Sequence, residues 1–169
     1  LHSIYVDQWD WEKVILPEDR TQEYLREVVR VLVRALAATD LAACAMFKKL
    51  TPSVCPDVFF VTSQELEDMY PKLSSKEREN AFVKEHHTAF IMRIGGALKS
   101  GEPHDGRAPD YDDWELNGDI LFWNEILGSA IEISSMGIRV NPETLDKQLT
   151  IAKSDNRRNL PFHRALLNG

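Results

Sequence analysis

The segment from Gly106 to Arg139 holds the side chains of this chain best suited to chemistry. It carries Asp110, Asp112 and Asp113 in what reads as a loop, Asp119 at the head of an apolar strand-like run, and Glu132 in the run that follows. Carboxylates gathered in this way repel one another unless a cation, a proton or a bound amine lies between them. A ligand is therefore the first expectation for this stretch.

The elements that must position these groups read as a hairpin. Residues 119–123 and 129–134 are strand-like, and residues 124–128 form a connection of hairpin length. Pairing Trp123 with Gly128 sets Asp119 opposite Glu132, where like charges are destabilising without a bridging ion. A one-residue slip sends the two to opposite faces, so the pattern alone leaves the register open.

Upstream, Leu1-His-Ser-Ile-Tyr-Val-Asp-Gln-Trp-Asp-Trp-Glu12 is rich in β-branched and aromatic residues and reads as a strand through about Gln8. If it persists, Gln8 and Asp10 share a face, either as a site or as the solvent side of an edge strand. The spacing Asp19-x-x-Gln22 reads as a capping box opening a long apolar-striped helix to about Lys49, which Pro52 and Pro56 then break. A buried strand is expected over residues 57–62, and the boxes at Thr62 and Glu65 and at Ser74 and Glu77 open two further helices. Another strand covers residues 88–94. Asn141-Pro142 starts a helix and Pro161 starts the last one.

His86 and His87 are adjacent, so on a helix they diverge and suit its C-terminus better than a metal. His104 and Asp105 sit in a Gly- and Pro-rich stretch and read as turn chemistry, because no second imidazole stands at a ligating spacing. The basic cluster at residues 153–158 reads as a solvated loop.

With 169 residues the chain suffices for one domain with a real core. Its 27 acidic against 20 basic residues give a net charge of -7, which argues against broad attraction to nucleic acid. The apolar runs are too short to span a bilayer. Cys44 and Cys55 suggest neither a disulfide framework nor a zinc site, and read as reduced thiols of a cytoplasmic protein.

Several ordered blocks carry a resemblance. These are residues 1–12, Thr62-Ser-Gln-Glu-Leu66, Arg107-Ala-Pro-Asp-Tyr-Asp-Asp-Trp114, Leu116-Asn-Gly-Asp-Ile-Leu121 and Ile133-Ser-Ser-Met-Gly-Ile-Arg-Val140. Together they closely resemble the ammonia-dependent asparagine synthetases, the aspartate–ammonia ligases, over essentially the whole chain. The resemblance implies an α+β fold, an antiparallel sheet flanked by helices like the catalytic domain of class II aminoacyl-tRNA synthetases, working as a homodimer. It implies L-aspartate, ATP and ammonia as substrates and Mg2+ as cofactor, with a β-aspartyl-adenylate formed on the way to asparagine, AMP and pyrophosphate.

It also implies roles. Asp119 and Glu132 would hold magnesium, Arg139 would neutralise nucleotide phosphates, and Ser134 and Ser135 would lie near the nucleotide. Asp112 and Gln8 would bind the amino acid, Asp10 would approach the AMP moiety, and Leu1, Ser3 and Val6 would line the adenine. Members of that family are longer, with further arginines in both flanks and a longer loop where this chain has only Glu115, so residues 1–169 correspond to the central part of one catalytic domain. The alternatives are a synthetase-like protein that activates an amino acid for another acceptor, and an inactive relative that binds nucleotide or a partner.

Overall fold

The computed structural model describes Ile4, Tyr5 and residues 10–169. Of the strand expected through Gln8, Leu1, Ser3, Val6 and Gln8 lie outside the described residues, and Ile4 and Tyr5 form a bend.

Four strands form one sheet in the order β1 (Phe59–Thr62), β2 (Thr88–Met92), β3 (Asp112–Asn124) and β4 (Ser129–Arg139). The fold is α+β, as expected, but the sheet is mixed: β1 and β2 are parallel, while β2–β3 and β3–β4 are antiparallel. The reason lies between the first two strands. Helices α2 (Ser63–Met69) and α3 (Ser75–His86) carry the chain back to the end of the sheet where β1 began, so β2 must run the same way.

Local chemistry explains most element starts. Thr62 and Glu65 form a reciprocal capping box on α2, Ser74 and Glu77 form one on α3, and Asn141 caps α4 (Pro142–Ile151) with Pro142 in its first turn. The last helix, α5, spans Pro161–Asn168. At α1 (Gln22–Met46) the expected cap is displaced: Thr21 Oγ1 accepts from the Tyr24 amide at 3.2 Å. Asp19 instead closes a 3-10 turn by accepting from the Leu16 amide. A hydroxyl adjoining the first helical residue leaves the earlier carboxylate free to serve the preceding turn.

The sheet is covered on both sides. Leu25, Val29 and Val33 of α1 pack on Phe90, Met92, Ile120 and Phe122, while Leu66, Phe82 and Val83 of α2 and α3 pack on Val61, Ala89, Ile91, Leu121 and Trp123. Neighbouring residues of β3 thus enter different layers, as strand periodicity requires. Each large apolar side chain buried in either layer contributes about 1.5–3 kcal/mol. The strand expected over residues 57–62 begins only at Phe59 and lies at the sheet edge with that residue exposed, α1 ends at Met46 short of Lys49, and β2 stops at Met92 short of residue 94. His86 and His87 end α3, as expected, and His86 stacks against Phe59.

Candidate active site

A cavity of about 780 Å³ opens beside the C-terminal half of β4, and its wall includes Asp10, Arg107, Asp112, Ser134, Ser135 and Arg139. Its size suits a small-molecule ligand. These residues come from separate parts of the chain: the N-terminal segment, the irregular segment before β3, the first residue of β3, and β4. All of the site residues expected from the sequence except Asp119, Glu132 and those outside the described residues therefore border this one cavity.

The hairpin that builds the wall has a different register from the one considered above. Asn124 pairs with Ser129, its side chain accepts from the amides of Ile126 and Leu127, and Gly128 takes a positive φ of 61°. These bonds shorten the connection and pair Trp123 with Ala130, which moves the ladder by two residues and preserves every face. A bulge between Ile120 and Leu121 then moves Asp119 on to Ser135, while Glu132 lies opposite Leu121. Asp119 and Glu132 are not cross-strand partners. Glu132 and Ser135 nevertheless both reach the Asp119 side, although a spacing of three would divide them on a regular strand.

Asp112 and Asp113 belong to β3 rather than to a loop. Only two β4 steps separate the pairs Asp112–Arg139 and Asn117–Gly137, so the intervening residues of β3 arch out of the ladder. Gly137 makes this possible, since a Cβ there would lie 2.7 Å from Asn117 Cβ and 2.9 Å from Asp112 Cβ. Buried Asn117 and Gln148 pin the arch. Asn117 exchanges two hydrogen bonds of 2.8 Å with the backbone of Ile94. Gln148 of α4 accepts from the Trp114 amide and donates to the carbonyls of Pro109 and Asp112.

The crowded aspartates are neutralised from within the chain. Asp110 meets Arg157 at 2.9 Å and the ring of His163 at 3.1 Å, and Asp113 accepts from Arg20 at 2.5 Å. Asp112, 4% exposed, accepts from Arg139 at 2.6 Å. Asp119, 9% exposed, accepts from Arg107 at 2.7 Å. A ligand is the first expectation for this stretch, but the chain itself supplies four arginines to these aspartates, Arg107 and Arg139 from within the stretch and Arg20 and Arg157 from outside it. Arg139 also pairs with Glu12 and lies 3.4 Å above the centre of the Tyr111 ring.

Arg107 and His104 are the residues that sequence reasoning missed. Arg107 donates to Asp119 and also to the Ser135 hydroxyl. The signal available was its place at the head of the 107–114 block. His104 is not turn chemistry. It is buried, and its ring nitrogen lies 3.1 Å from a carboxylate oxygen of Glu79 on α3. Burial opposes ionisation of Glu79, but hydrogen bonds from His104 and Lys76 outweigh it and hold this carboxyl below its ordinary value.

The Asp119–Glu132 pair has the opposite character. Burial pushes the Asp119 carboxyl up despite Arg107, and Glu132, which is more exposed, is pushed up by desolvation and by the charge of Asp119. Asp119, although paired with Arg107, and Glu132 offer oxygen donors of the kind a hard divalent cation takes, commonly one or two carboxylates with phosphates and water completing its shell. Among the described residues, no group of three or more His, Cys, Asp or Glu side chains forms a metal-holding set. No helix among them is long and apolar enough to cross a membrane.

The whole chain, residues 1–169, matches the family model described as aspartate-ammonia ligase. It is 56% identical over 166 residues to a protein of Clostridium tetani named aspartate–ammonia ligase, covering 98% of this chain and 49% of that one. Proteins of the same name from Fusobacterium nucleatum and Levilactobacillus brevis are each 53% identical over 99% of this chain, which covers 51% and 50% of them respectively. The chain spans about half the length of the curated relatives it matches, and it belongs to the aspartate–ammonia ligase family.

Proposed function

We propose that the chain is the central part of a single catalytic domain, similar to that of class II aminoacyl-tRNA synthetases, which makes L-asparagine from L-aspartate, ATP and ammonia. The observation that carries this reading is the convergence of Asp10, Asp112, Ser134, Ser135 and Arg139 on one cavity of about 780 Å³. In the reaction, a β-carboxylate oxygen of aspartate bonds to the α-phosphorus of ATP and pyrophosphate leaves. Ammonia then bonds to the acyl carbon of the adenylate, AMP leaves with the former carboxylate oxygen, and the nitrogen loses a proton.

The residues suit these steps. Asp112 accepts the α-ammonium of aspartate in place of Arg139, and Arg139, released from that carboxylate, offers its planar fork to the nucleotide phosphates. Ser135, and Ser134 beside it, supply hydroxyls near the nucleotide, and Asp10 approaches the AMP moiety. Gln8 completes the amino-acid subsite, while Leu1, Ser3 and Val6 line the adenine. Asp119 and Glu132 would hold Mg2+, which supplies charge neutralisation at the phosphates. The protein works as a homodimer, without nucleic acid, in the cytoplasm, where its thiols Cys44 and Cys55 stay reduced.

The full-length protein, given aspartate labelled with 18O in its β-carboxylate, ATP, ammonium and Mg2+, is expected to release asparagine, AMP and pyrophosphate in equal amounts, with one label in the AMP. Release of ADP and phosphate, or AMP without label, overturns the proposed route.

A further inference from the structure

We propose that Arg107 is the resident counter-cation of Asp119 and must give up that carboxylate before a divalent cation can be held there. The inference rests on the reading above that Asp119 and Glu132 form the metal-holding pair.

The charges around the pair single Arg107 out. Lys76 is the other cation acting on Glu132, but its ammonium group is taken by Glu79 at 2.7 Å. Arg107 has 14% of its side chain exposed, and its partner Asp119 has 13%. One terminal nitrogen donates to Asp119 at 2.7 Å and the other to the Ser135 hydroxyl, which itself hydrogen-bonds Asp119. The three groups close on one another and leave Asp119 with an internal positive charge.

The grip is incomplete. The remaining guanidinium nitrogen, Nε, is buried without a partner, whereas a permanent structural pair would use the fork bidentately. Arg107 also precedes β3 and lies outside every helix and strand, next to Gly106, whose Cα has open space where a side chain would stand. The side chain can therefore withdraw without unpacking an element. Having left Asp119, it still borders the cavity, where an anionic phosphate can take it. Metal and nucleotide are then coupled: each removes a competitor of the other.

The test uses Mn2+ as probe, with free ion counted by electron paramagnetic resonance in titrations of the full-length protein without nucleotide. Arg107→Met is expected to bind Mn2+ on the order of tenfold more tightly than wild type, because the internal competitor is gone. Arg107→Gln keeps an amide donor but no charge, carries the same expectation, and decides the matter if the methionine variant does not fold. Mn2+ affinity that is unchanged or weaker in the folded Arg107 variants, while Asp119→Asn abolishes binding, overturns the role of Arg107 alone. Undiminished binding in Asp119→Asn overturns the metal-holding pair itself, and the role of Arg107 with it.

Discussion

Arg139 lies directly across the β3–β4 ladder from Asp112 and donates to its carboxylate at 2.6 Å, so the two groups expected to bind oppositely charged parts of the substrates neutralise each other. The pair is half open, with 38% of the arginine side chain but only 6% of the aspartate exposed. An incoming ammonium group and an incoming phosphate can exchange with it at little net cost in charge burial, since each ion leaves one partner for another.

Asp112→Asn in the full-length protein therefore removes the acceptor for the amine while leaving the shape of the arch. The KM for aspartate is expected to rise on the order of tenfold, with the KM for ATP nearly unchanged. Steady-state pyrophosphate release over a range of aspartate concentrations reads both constants. An unaltered aspartate dependence excludes the assignment.

At Asp119 the expectation concerns chemistry rather than folding. Asparagine keeps an acceptor for Arg107 but loses the charge, so adenylate formation, followed by ATP–pyrophosphate exchange, should fall on the order of a hundredfold or more. The urea midpoint should move little. Normal exchange in a folded Asp119→Asn protein removes Asp119 from the metal-holding pair.

Glu132 sets a pH dependence whose sign follows from its raised carboxyl. A group held above its unfolded value contributes stability fully present below that value, near pH 4.5, and lost as pH rises through the folded value. Glu132→Gln should consequently match wild type in acid and become the more stable protein as pH rises past this window. Urea midpoints taken across the acid-to-neutral range, without divalent cation, measure the difference. A constant difference at every pH contradicts the proposed repulsion.

Gln148 offers a test of the scaffold. Its side chain satisfies the Trp114 amide and the carbonyls of Pro109 and Asp112, all in the segment that sets the position of Asp112. Gln148→Leu leaves these backbone groups without that partner and should cost about 2–4 kcal/mol in chemical unfolding. The KM for aspartate should rise alongside. A stability loss with normal aspartate binding limits Gln148 to a packing role.

Much of the fold and the chemistry was legible in the residue order, because its causes are local. The capping boxes at Thr62 and Ser74, Asn141-Pro142 and the histidines closing α3 act within one helical turn, and each stands at the helix end where it is expected. The blocks around Asp112, Asp119 and Ser135 also identified the family, since side-chain identity and spacing belong to the sequence itself. Direction and register were different matters. Whether β2 runs with or against β1 depends on where two helices return the chain, and Asp119 meets Ser135 only because a turn and a bulge displace the ladder.

The pairing of charges was least visible. Nothing in the order of residues joins Asp113 to Arg20 or Asp110 to Arg157, yet these contacts answer the repulsion that made the stretch conspicuous. By itself, the sequence determined which groups are present and which short helices and turns they begin. Tertiary structure alone decided which charges meet, because a Coulombic contact depends on distance through space, and folding brings together residues that the chain holds far apart.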